Sequence, residues 1–223
     1  MEAKKLHNQK KNRCVLFDMD GVVLDSMPYH VRAWKDAFKE HGMEVDEKLF
    51  YLYEGAIEPD VACTLFSKNG ASITTDEFFE IHSMQKRYFM ERYAEKVRPF
   101  RDVPKLLEKL KESKVKTALV TSSHKDILEA VLPKPLKALF DHVVTGDEVK
   151  KRKPHPDPYL AGLSGIGANR ANGAIAVENA PAGIESAKRA GLSCIAITTT
   201  LSKKHLCNAD LVIDNHGELI NLL

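Results

Sequence analysis

Six short apolar segments, separated by polar stretches, constrain the fold of this chain more than any other feature of its 223 residues. Each segment is nearly continuous in valine, isoleucine, leucine and alanine, and does not alternate apolar with polar residues. Such runs are typical of strands that are buried on both faces of a parallel sheet. The predicted strands are 14–18, 117–121, 142–146, 174–179, 194–198 and 211–215.

Helical patterns separate the later predicted strands. Apolar residues recur at i, i+3 and i+4 across 103–113, and the segment 182–191 ends in Gly191, as a helix often does. Alternation of strands and helices predicts an open α/β sheet with right-handed crossovers. In such sheets, ligands bind beyond the carboxyl ends of the strands.

The first two predicted strands are separated by about a hundred residues, which is more than one crossover helix needs. The interval has a mostly helical pattern: Pro28 can open a helix that stops at Gly42, and amphipathic stretches follow near 58–69 and 75–93. We therefore predict a helical insert over 26–95 on an α/β core formed by 13–25 and 96–223. Residues 1–12 are predicted to be a flexible basic tail.

The bulk composition is that of an ordinary globular protein, with 43% hydrophobic and 29% charged residues. A formal charge of +2 gives no reason to expect a nucleic-acid partner, and no apolar run approaches the length of about 20 residues that spans a membrane. The polar, basic start lacks the apolar core of a secretory signal. We expect a cytoplasmic monomer with reduced thiols at Cys14, Cys63, Cys194 and Cys207.

Polar side chains follow several of the predicted strands. D-M-D-G places Asp18 at a strand tip as a possible nucleophile or metal ligand, and Asp20 on the following turn as a possible general acid and base. V-T-S-S offers a hydroxyl and backbone N–H groups to an anion, and K-R-K-P-H-P-D-P places Lys153 before a proline-stiffened turn as a point charge for phosphate. Glu178 and Asn179 end another strand.

The order D-x-D-G, T-S, K-P-x-P-D and E-N-A-P-A-G-I-E-S-A-K-R-A-G resembles the haloacid dehalogenase superfamily, and within it the β-phosphoglucomutase-like phosphatase branch. The resemblance spans Arg13 to Leu223. It implies a Rossmann-like parallel sheet core with an inserted α-helical cap, Mg²⁺ as cofactor, and a small phosphorylated substrate. It also implies an aspartyl-phosphate mechanism in which Asp18 attacks phosphorus and Asp20 first protonates the leaving group and then activates water.

The resemblance further implies which residues bind. The phosphoryl oxygens would be held by Gly21, Thr121, Ser122 and Lys153. The metal would be held by Asp18, the backbone carbonyl of Asp20, Glu178 and Asn179. Most relatives carry an aspartate in place of Asn179, so the metal site of this chain has one negative charge fewer. Such a site is weaker, inactive, or supplied with charge by another residue.

The cap loop from Leu52 to Asp60 differs from that of the mutases, which carry basic residues there to hold a second phosphate. Here the corresponding places hold Glu54 and Glu58. The chain also resembles a pyrophosphate-hydrolysing member of the branch, which combines E-G in the cap loop with E-N-A-P and S-M-P-Y-H. That similarity implies that Glu54 supplies the missing charge to the metal when the cap closes. His30 and Lys86 are predicted on cap helices, facing the leaving group.

These features predict a Mg²⁺-dependent phosphohydrolase for pyrophosphate or for small phosphate monoesters such as sugar phosphates. The first alternative is a β-phosphoglucomutase, which shares the core motifs. The second is a catalytically idle protein that binds a phosphorylated metabolite, although both Asp18 and Asp20 are present. A dehalogenase is disfavoured because D-M-D-G supplies the second acid that phosphoryl chemistry uses.

Overall fold

A computed structural model describes residues 14–56, 73–168 and 173–223. Its strands are β1 (Cys14–Phe17), β2 (Lys116–Val120), β3 (His142–Val144), β4 (Ile175–Glu178), β5 (Ser193–Ile197) and β6 (Leu211–Ile213). Before β2 lie α1 (Met27–Glu40), α2 (Lys48–Leu52), α3 (Thr75–Tyr88) and α4 (Val103–Glu112). After β2 lie α5 (Lys125–Val131), α6 (Lys134–Lys137), α7 (Asp157–Gly165), α8 (Pro181–Arg189) and α9 (His216–Leu222).

Among the described residues, the strands form one parallel sheet in the order β3-β2-β1-β4-β5-β6. The prediction of a Rossmann-like parallel α/β core is confirmed. β1 lies between β2 and β4, and the order of the strands reverses beside it, which creates a crevice at their carboxyl ends. The residues that follow β1, β2 and β4 therefore meet at one edge of the sheet.

Both faces of the sheet are covered by apolar packing, which explains why the strands do not alternate in polarity. Val15 and Phe17 face one buried cluster together with Leu119 and Val177. Leu16, between them, faces the other cluster on the opposite side of the sheet. Burial on two faces selects apolar residues at every position of a central strand.

Helices α1, α2 and α3 lie between β1 and β2, where the sequence predicted a helical insert. Trp34 of α1 holds them together, because its ring stacks on Phe50 at 5.5 Å and on Phe78 at 6.3 Å between centroids. The predicted amphipathic stretch 75–93 is divided into α3 and a π-helical turn over Phe89–Tyr93. The predicted stretch 58–69 lies outside the described residues, as do Glu58, Cys63 and the tail.

The chain enters and leaves the helical insert through two adjacent segments. The backbone N–H of Asp25 donates to the carbonyl of Arg98 at 2.9 Å, and that of Phe100 donates to the carbonyl of Val23 at 3.1 Å. Backbone bonds of this kind tie the start of the insert to its end. The two ends of the insert thus lie side by side, next to the residues that follow β1.

None of the helices in the described ranges is long and apolar enough to cross a membrane. Cys14 and Cys194 are buried free thiols, and Cys207 is an exposed one. Burial raises the pKa of Cys14 to about 11, so this thiol is kept protonated and behaves as a small apolar side chain.

Candidate active site

Asp18 lies one residue beyond β1, in a buried network with Lys153, the lysine that was predicted before a proline-stiffened turn. Lys153 Nζ donates to Asp18 Oδ1, to Glu178 Oε1 at 2.8 Å and to the carbonyl of Val120 at 3.2 Å. Burial alone would lower the pKa of Lys153, but the carboxylates of Asp18 and Glu178 outweigh burial and raise it, so the ammonium stays charged. A fixed positive charge thus lies between the ends of β1, β2 and β4.

Tyr159 of α7 lies beneath this network, and its role was missed at the sequence level. Its hydroxyl donates to Glu178 Oε1 at 2.6 Å, and Lys153 Nζ lies 5.3 Å from the centre of its ring. Burial and the neighbouring Glu178 raise the pKa of Tyr159 well above its usual value, so the hydroxyl remains a donor. Glu178 Oε1 therefore has two donors that fix the direction of its carboxylate.

Asp20 accepts hydrogen bonds at both carboxylate oxygens. Ser26 Oγ donates to Oδ1 at 2.6 Å and His30 Nε2 lies 3.3 Å from the same oxygen, while Ser123 Oγ at 2.9 Å and Thr121 Oγ1 at 3.4 Å donate to Oδ2. Burial would raise the pKa of Asp20, but the contact with His30 and the hydrogen bonds from Ser26 and Ser123 outweigh it and lower the pKa. Asp20 is held ionised and oriented.

Asn179 follows β4 and contacts the cap loop. Its Nδ2 donates to Glu54 Oε2 at 2.8 Å and to Thr200 Oγ1 at 3.1 Å. Gly21 lies against this amide at a φ of 85°, and a Cβ at that position would come within 2.2 Å of Asn179 Nδ2. The turn after β1 therefore needs glycine for its backbone angle and for the space that Asn179 occupies.

The other predicted residues, Ser122, His30 and Lys86, line the same cavity. Ser122 Oγ donates to the carbonyl of Gly55 at 3.2 Å, which makes a second contact between core and cap loop. His30 stacks on Phe89 at 3.8 Å, with Gln85 Nε2 at 3.5 Å from its Nδ1. Lys86 lines the cavity too, but its ammonium pairs with Asp126 at 2.8 Å and not with the carboxylates below.

The carboxylates at the bottom of the cavity carry more negative charge than Lys153 can balance. Burial, then the neighbouring charges, raise the pKa of Asp18 to about 8, although Lys153 opposes the shift. Burial and the carboxylates of Asp18, Asp20 and Glu178 likewise raise the pKa of Glu54 well above its usual value. Such a cluster is stable when a cation or protons neutralise it.

Two acceptor oxygens indicate where a cation fits. Asp18 Oδ2 and Asn179 Oδ1 are buried and accept no hydrogen bond in the described structure. Carboxylate and amide oxygens are ligands that Mg²⁺ takes, and an unpaired buried acceptor costs free energy unless something binds it. The predicted metal ligands therefore fit a small divalent cation.

Side chains alone do not form a complete metal shell here. In the described ranges, no three Asp, Glu, His or Cys side chains form a group that could hold a metal ion by itself. The Asn179 amide and the backbone carbonyl of Asp20 would be needed as well, which agrees with the preference of Mg²⁺ for mixed oxygen ligands and retained water.

Sequence reasoning thus named the residues at the strand ends and missed several that support them. The missed residues are Ser26, Gln85, Ser123, Tyr159 and Thr200. Ser26 and Ser123 stood inside the quoted motifs S-M-P-Y-H and V-T-S-S, so a signal existed for them. Tyr159 carried no such signal, because its hydroxyl lies within an otherwise apolar stretch of helix.

Comparison with known proteins agrees with this geometry. The profile of a family described as haloacid dehalogenase-like hydrolase matches residues 15–197. The chain belongs to this family. It is 29% identical over 209 residues to the validoxylamine A 7'-phosphate phosphatase of Streptomyces hygroscopicus subsp. limoneus, covering 93% of this chain and 95% of that one.

Two other similarities bear on the branch within the family. A Caldanaerobacter subterraneus protein named "Putative pyrophosphatase PpaX" is 30% identical over 219 residues, which cover 96% of this chain and 95% of the relative. A solved structure titled "Putative beta-phosphoglucomutase from Bacteroides vulgatus" superposes with a TM-score of 0.81 at 28% identity, covering 99% of this chain and 94% of that one. The resemblance to the β-phosphoglucomutase-like branch of the haloacid dehalogenase-like hydrolases is confirmed.

Proposed function

We propose that this haloacid dehalogenase-like hydrolase is a Mg²⁺-dependent phosphohydrolase that uses Asp18 as its nucleophile, on pyrophosphate or on small phosphate monoesters such as sugar phosphates. The observation that carries the proposal is the environment of the Asp18 carboxylate. One of its oxygens is held by Lys153 and the other is buried without a donor. A buried carboxylate that is held in one orientation is positioned for attack on phosphorus.

The reaction proceeds in two displacements. A carboxylate oxygen of Asp18 forms a bond to phosphorus while the bond between phosphorus and the leaving-group oxygen breaks. Asp20 then takes a proton from water, the water oxygen attacks phosphorus, and the bond to Asp18 breaks to release phosphate. Lys153 contacts Asp18, and the Thr121 hydroxyl contacts Asp20. Both groups are thus close enough to the reacting phosphorus to hold phosphoryl oxygens. A bound Mg²⁺ would neutralise the charge that accumulates between nucleophile and phosphoryl group.

The environment of Asp20 favours pyrophosphate over alkyl phosphates. Despite burial, its contacts with His30, Ser26 and Ser123 lower its pKa, so Asp20 is ionised before the substrate binds and holds no proton for the leaving group. A sugar alkoxide needs a proton to depart, whereas phosphate departs from pyrophosphate as a stable anion. Glu54 beside Asn179 argues against the mutase alternative, since a carboxylate in this loop repels the second phosphate of a mutase substrate.

The first test is release of phosphate in the presence of Mg²⁺ from pyrophosphate, sugar phosphates and nucleotides. We expect turnover that depends on Mg²⁺ and prefers pyrophosphate. Asp18→Asn should lower kcat at least about a thousandfold, as loss of a nucleophile does, while the circular dichroism spectrum is unchanged. Asp102→Asn, an exposed aspartate away from the cavity, is the matched control and should retain full activity.

Other outcomes would identify the alternatives. Formation of glucose 6-phosphate from β-glucose 1-phosphate with glucose 1,6-bisphosphate would establish a mutase. No turnover of any substrate, together with binding of a phosphorylated compound, would establish the idle binding protein. Normal rates in Asp18→Asn would contradict the aspartyl-phosphate mechanism.

A further inference from the structure

The cavity that contains Asp18 and Asp20 is also lined by four basic side chains that come from three separate parts of the fold. They are His82 and Lys86 of α3, His124 in the loop after β2, and Arg152 before α7; we call them the basic lining. None of the four lies in the Glu54 loop, where the mutases place their basic residues. The cavity has a volume of 150 Å³, which limits it to a small ligand.

Packing and hydrogen bonds fix the basic lining in place. The Arg152 guanidinium donates to His124 Nε2. The His82 ring packs against Phe78 at 5.8 Å and against Trp34 at 5.7 Å between centroids. Lys86 pairs with Asp126. A set of side chains that is already ordered loses less conformational entropy when it binds a ligand than a set of solvated surface lysines would.

The charges of the basic lining repel one another. Burial lowers the pKa of His82, and the positive charges of Arg152, His124 and Lys86 lower it further. The pKa of His124 is lowered by burial, Arg152 and Lys86, against the smaller opposing effects of Asp147 and Asp126. An anion placed among these groups would relieve that repulsion and accept hydrogen bonds from several of them.

We infer that the basic lining binds a phosphate carried by the leaving group, so that the preferred substrate has a second phosphate close to the phosphorus that reacts. The inference rests on the proposed function and specifies its substrate class. Arginine binds phosphate through two parallel hydrogen bonds, and Lys86 adds a point charge. Asp18, Asp20 and Lys153 then act on one phosphoryl group while Arg152, His124, His82 and Lys86 hold the other.

The experiment compares pyrophosphate with p-nitrophenyl phosphate, whose leaving group carries no phosphate. The measured quantity is the ratio of kcat/KM for the two substrates. Arg152→Met should lower this ratio at least about tenfold, which is the scale of one lost charge-assisted hydrogen bond. Arg152→Lys, which keeps the charge and loses the planar fork, should lower it less. Lys151→Met, an exposed neighbour outside the cavity lining, removes the same charge and should leave the ratio unchanged.

Binding of imidodiphosphate, a pyrophosphate analogue that resists hydrolysis, separates this inference from the proposed function. Calorimetry in the presence of Mg²⁺ should show affinity at least about tenfold weaker in Arg152→Met than in the wild type or in Lys151→Met. If the wild type hydrolyses neither substrate, the proposed function fails and this binding comparison still decides the inference. Equal affinities, no binding to the wild type, or equal losses for both substrates in Arg152→Met would overturn it.

Discussion

Asn179 stands where a second carboxylate would be the ordinary choice, and its contacts explain the amide. Its Nδ2 donates to Glu54 Oε2 and its Oδ1 accepts no hydrogen bond from the described residues. An aspartate there would place two carboxylate oxygens at about hydrogen-bonding distance with no donor between them. The amide allows Glu54 to approach and leaves an oxygen for a cation. The carboxyl group of Glu54 thus lies beside the residue after β4 that lacks a carboxylate.

Tyr159 supports the site from below, and its removal should cost stability. Tyr159→Phe deletes the donor at 2.6 Å from Glu178 Oε1 in a fully buried place. A buried hydrogen bond to a charged group contributes about 1.5–3 kcal/mol, so we expect the free energy of unfolding to fall by that amount. Urea denaturation followed by circular dichroism measures it.

Tyr93→Phe is the matched control for that change. The Tyr93 hydroxyl also donates to a carboxylate, Asp36 at 2.8 Å, but both residues are only half-buried. Water can replace the lost bond there, so the expected loss is less than about 1 kcal/mol. Equal losses in the two variants would show that Tyr159 stabilises the fold no more than a surface tyrosine does.

The sequence was informative about residues at strand ends and less informative about those that orient them. Asp18 and Glu178 could be located because a polar residue after an apolar run marks the end of a strand. The tyrosine that fixes Glu178 comes from α7, and nothing in its local pattern distinguishes a buried hydroxyl from an apolar ring. Contacts between distant elements depend on packing, which a single sequence does not specify.

At the scale of elements, the predicted strands agree with the observed ones within one or two residues. Long apolar runs between turns leave little freedom in placing a buried strand. The stretch 75–93 was less well predicted, because its π-helical turn at Phe89–Tyr93 preserves amphipathic character while changing the hydrogen bonding. Periodicity indicates which face of a helix is buried, but it does not indicate where an α-helix becomes a π-helix.

Helix α3 brings His82, Gln85 and Lys86 to the cavity, and its first turn is fixed by a capping box. Thr74 Oγ1 accepts from the Glu77 backbone N–H at 3.2 Å, and Glu77 Oε2 accepts from the Thr74 N–H at 2.7 Å. Thr74→Ala should reduce the free energy of unfolding by about 1 kcal/mol, the usual contribution of such a cap. Thr75→Ala, at the first helical residue, should change it little because alanine favours the helix.

Urea unfolding monitored by Trp34 fluorescence reports on this effect, because Trp34 stacks on Phe78 of α3. A midpoint that shifts for Thr74→Ala and not for Thr75→Ala would establish the capping box. Equal shifts would mean that threonine side chains at this end contribute only through helix propensity. The KM for pyrophosphate, measured in the same two variants, shows whether the first turn of α3 affects the cavity that its later turns line.

At the scale of the whole molecule, the cap loop and the core meet over a cluster of like charges. Ser122 contacts Gly55 at 3.2 Å and Asn179 contacts Glu54 at 2.8 Å, so the cavity is closed on this side. Glu54 is buried here, and its burial and the neighbouring carboxylates of Asp18, Asp20 and Glu178 raise its pKa. The contact between the two parts is therefore favourable only when protons or a cation neutralise the carboxylates.

The stability of the metal-free protein should consequently fall as the pH rises. A carboxyl group whose pKa is raised on folding binds more protons in the folded state, so the stability it confers is lost as the pH rises from its unfolded pKa through its folded pKa. For Asp18, whose folded pKa is about 8, the loss extends from about pH 4 to about pH 8. Melting temperatures of EDTA-treated protein between pH 5 and 9 measure this loss.

The variant Glu54→Gln isolates the cluster from the histidines, whose lowered pKa values at His82, His124 and His216 act in the opposite direction. Without the Glu54 charge, the melting temperature should fall less steeply with pH than in the wild type. Mg²⁺ should raise the melting temperature of the wild type most at high pH, where protons no longer compete for the carboxylates, and should raise that of Glu54→Gln less. Parallel curves for the two proteins, with and without Mg²⁺, would mean that Glu54 contributes neither to the charge cluster nor to the metal site.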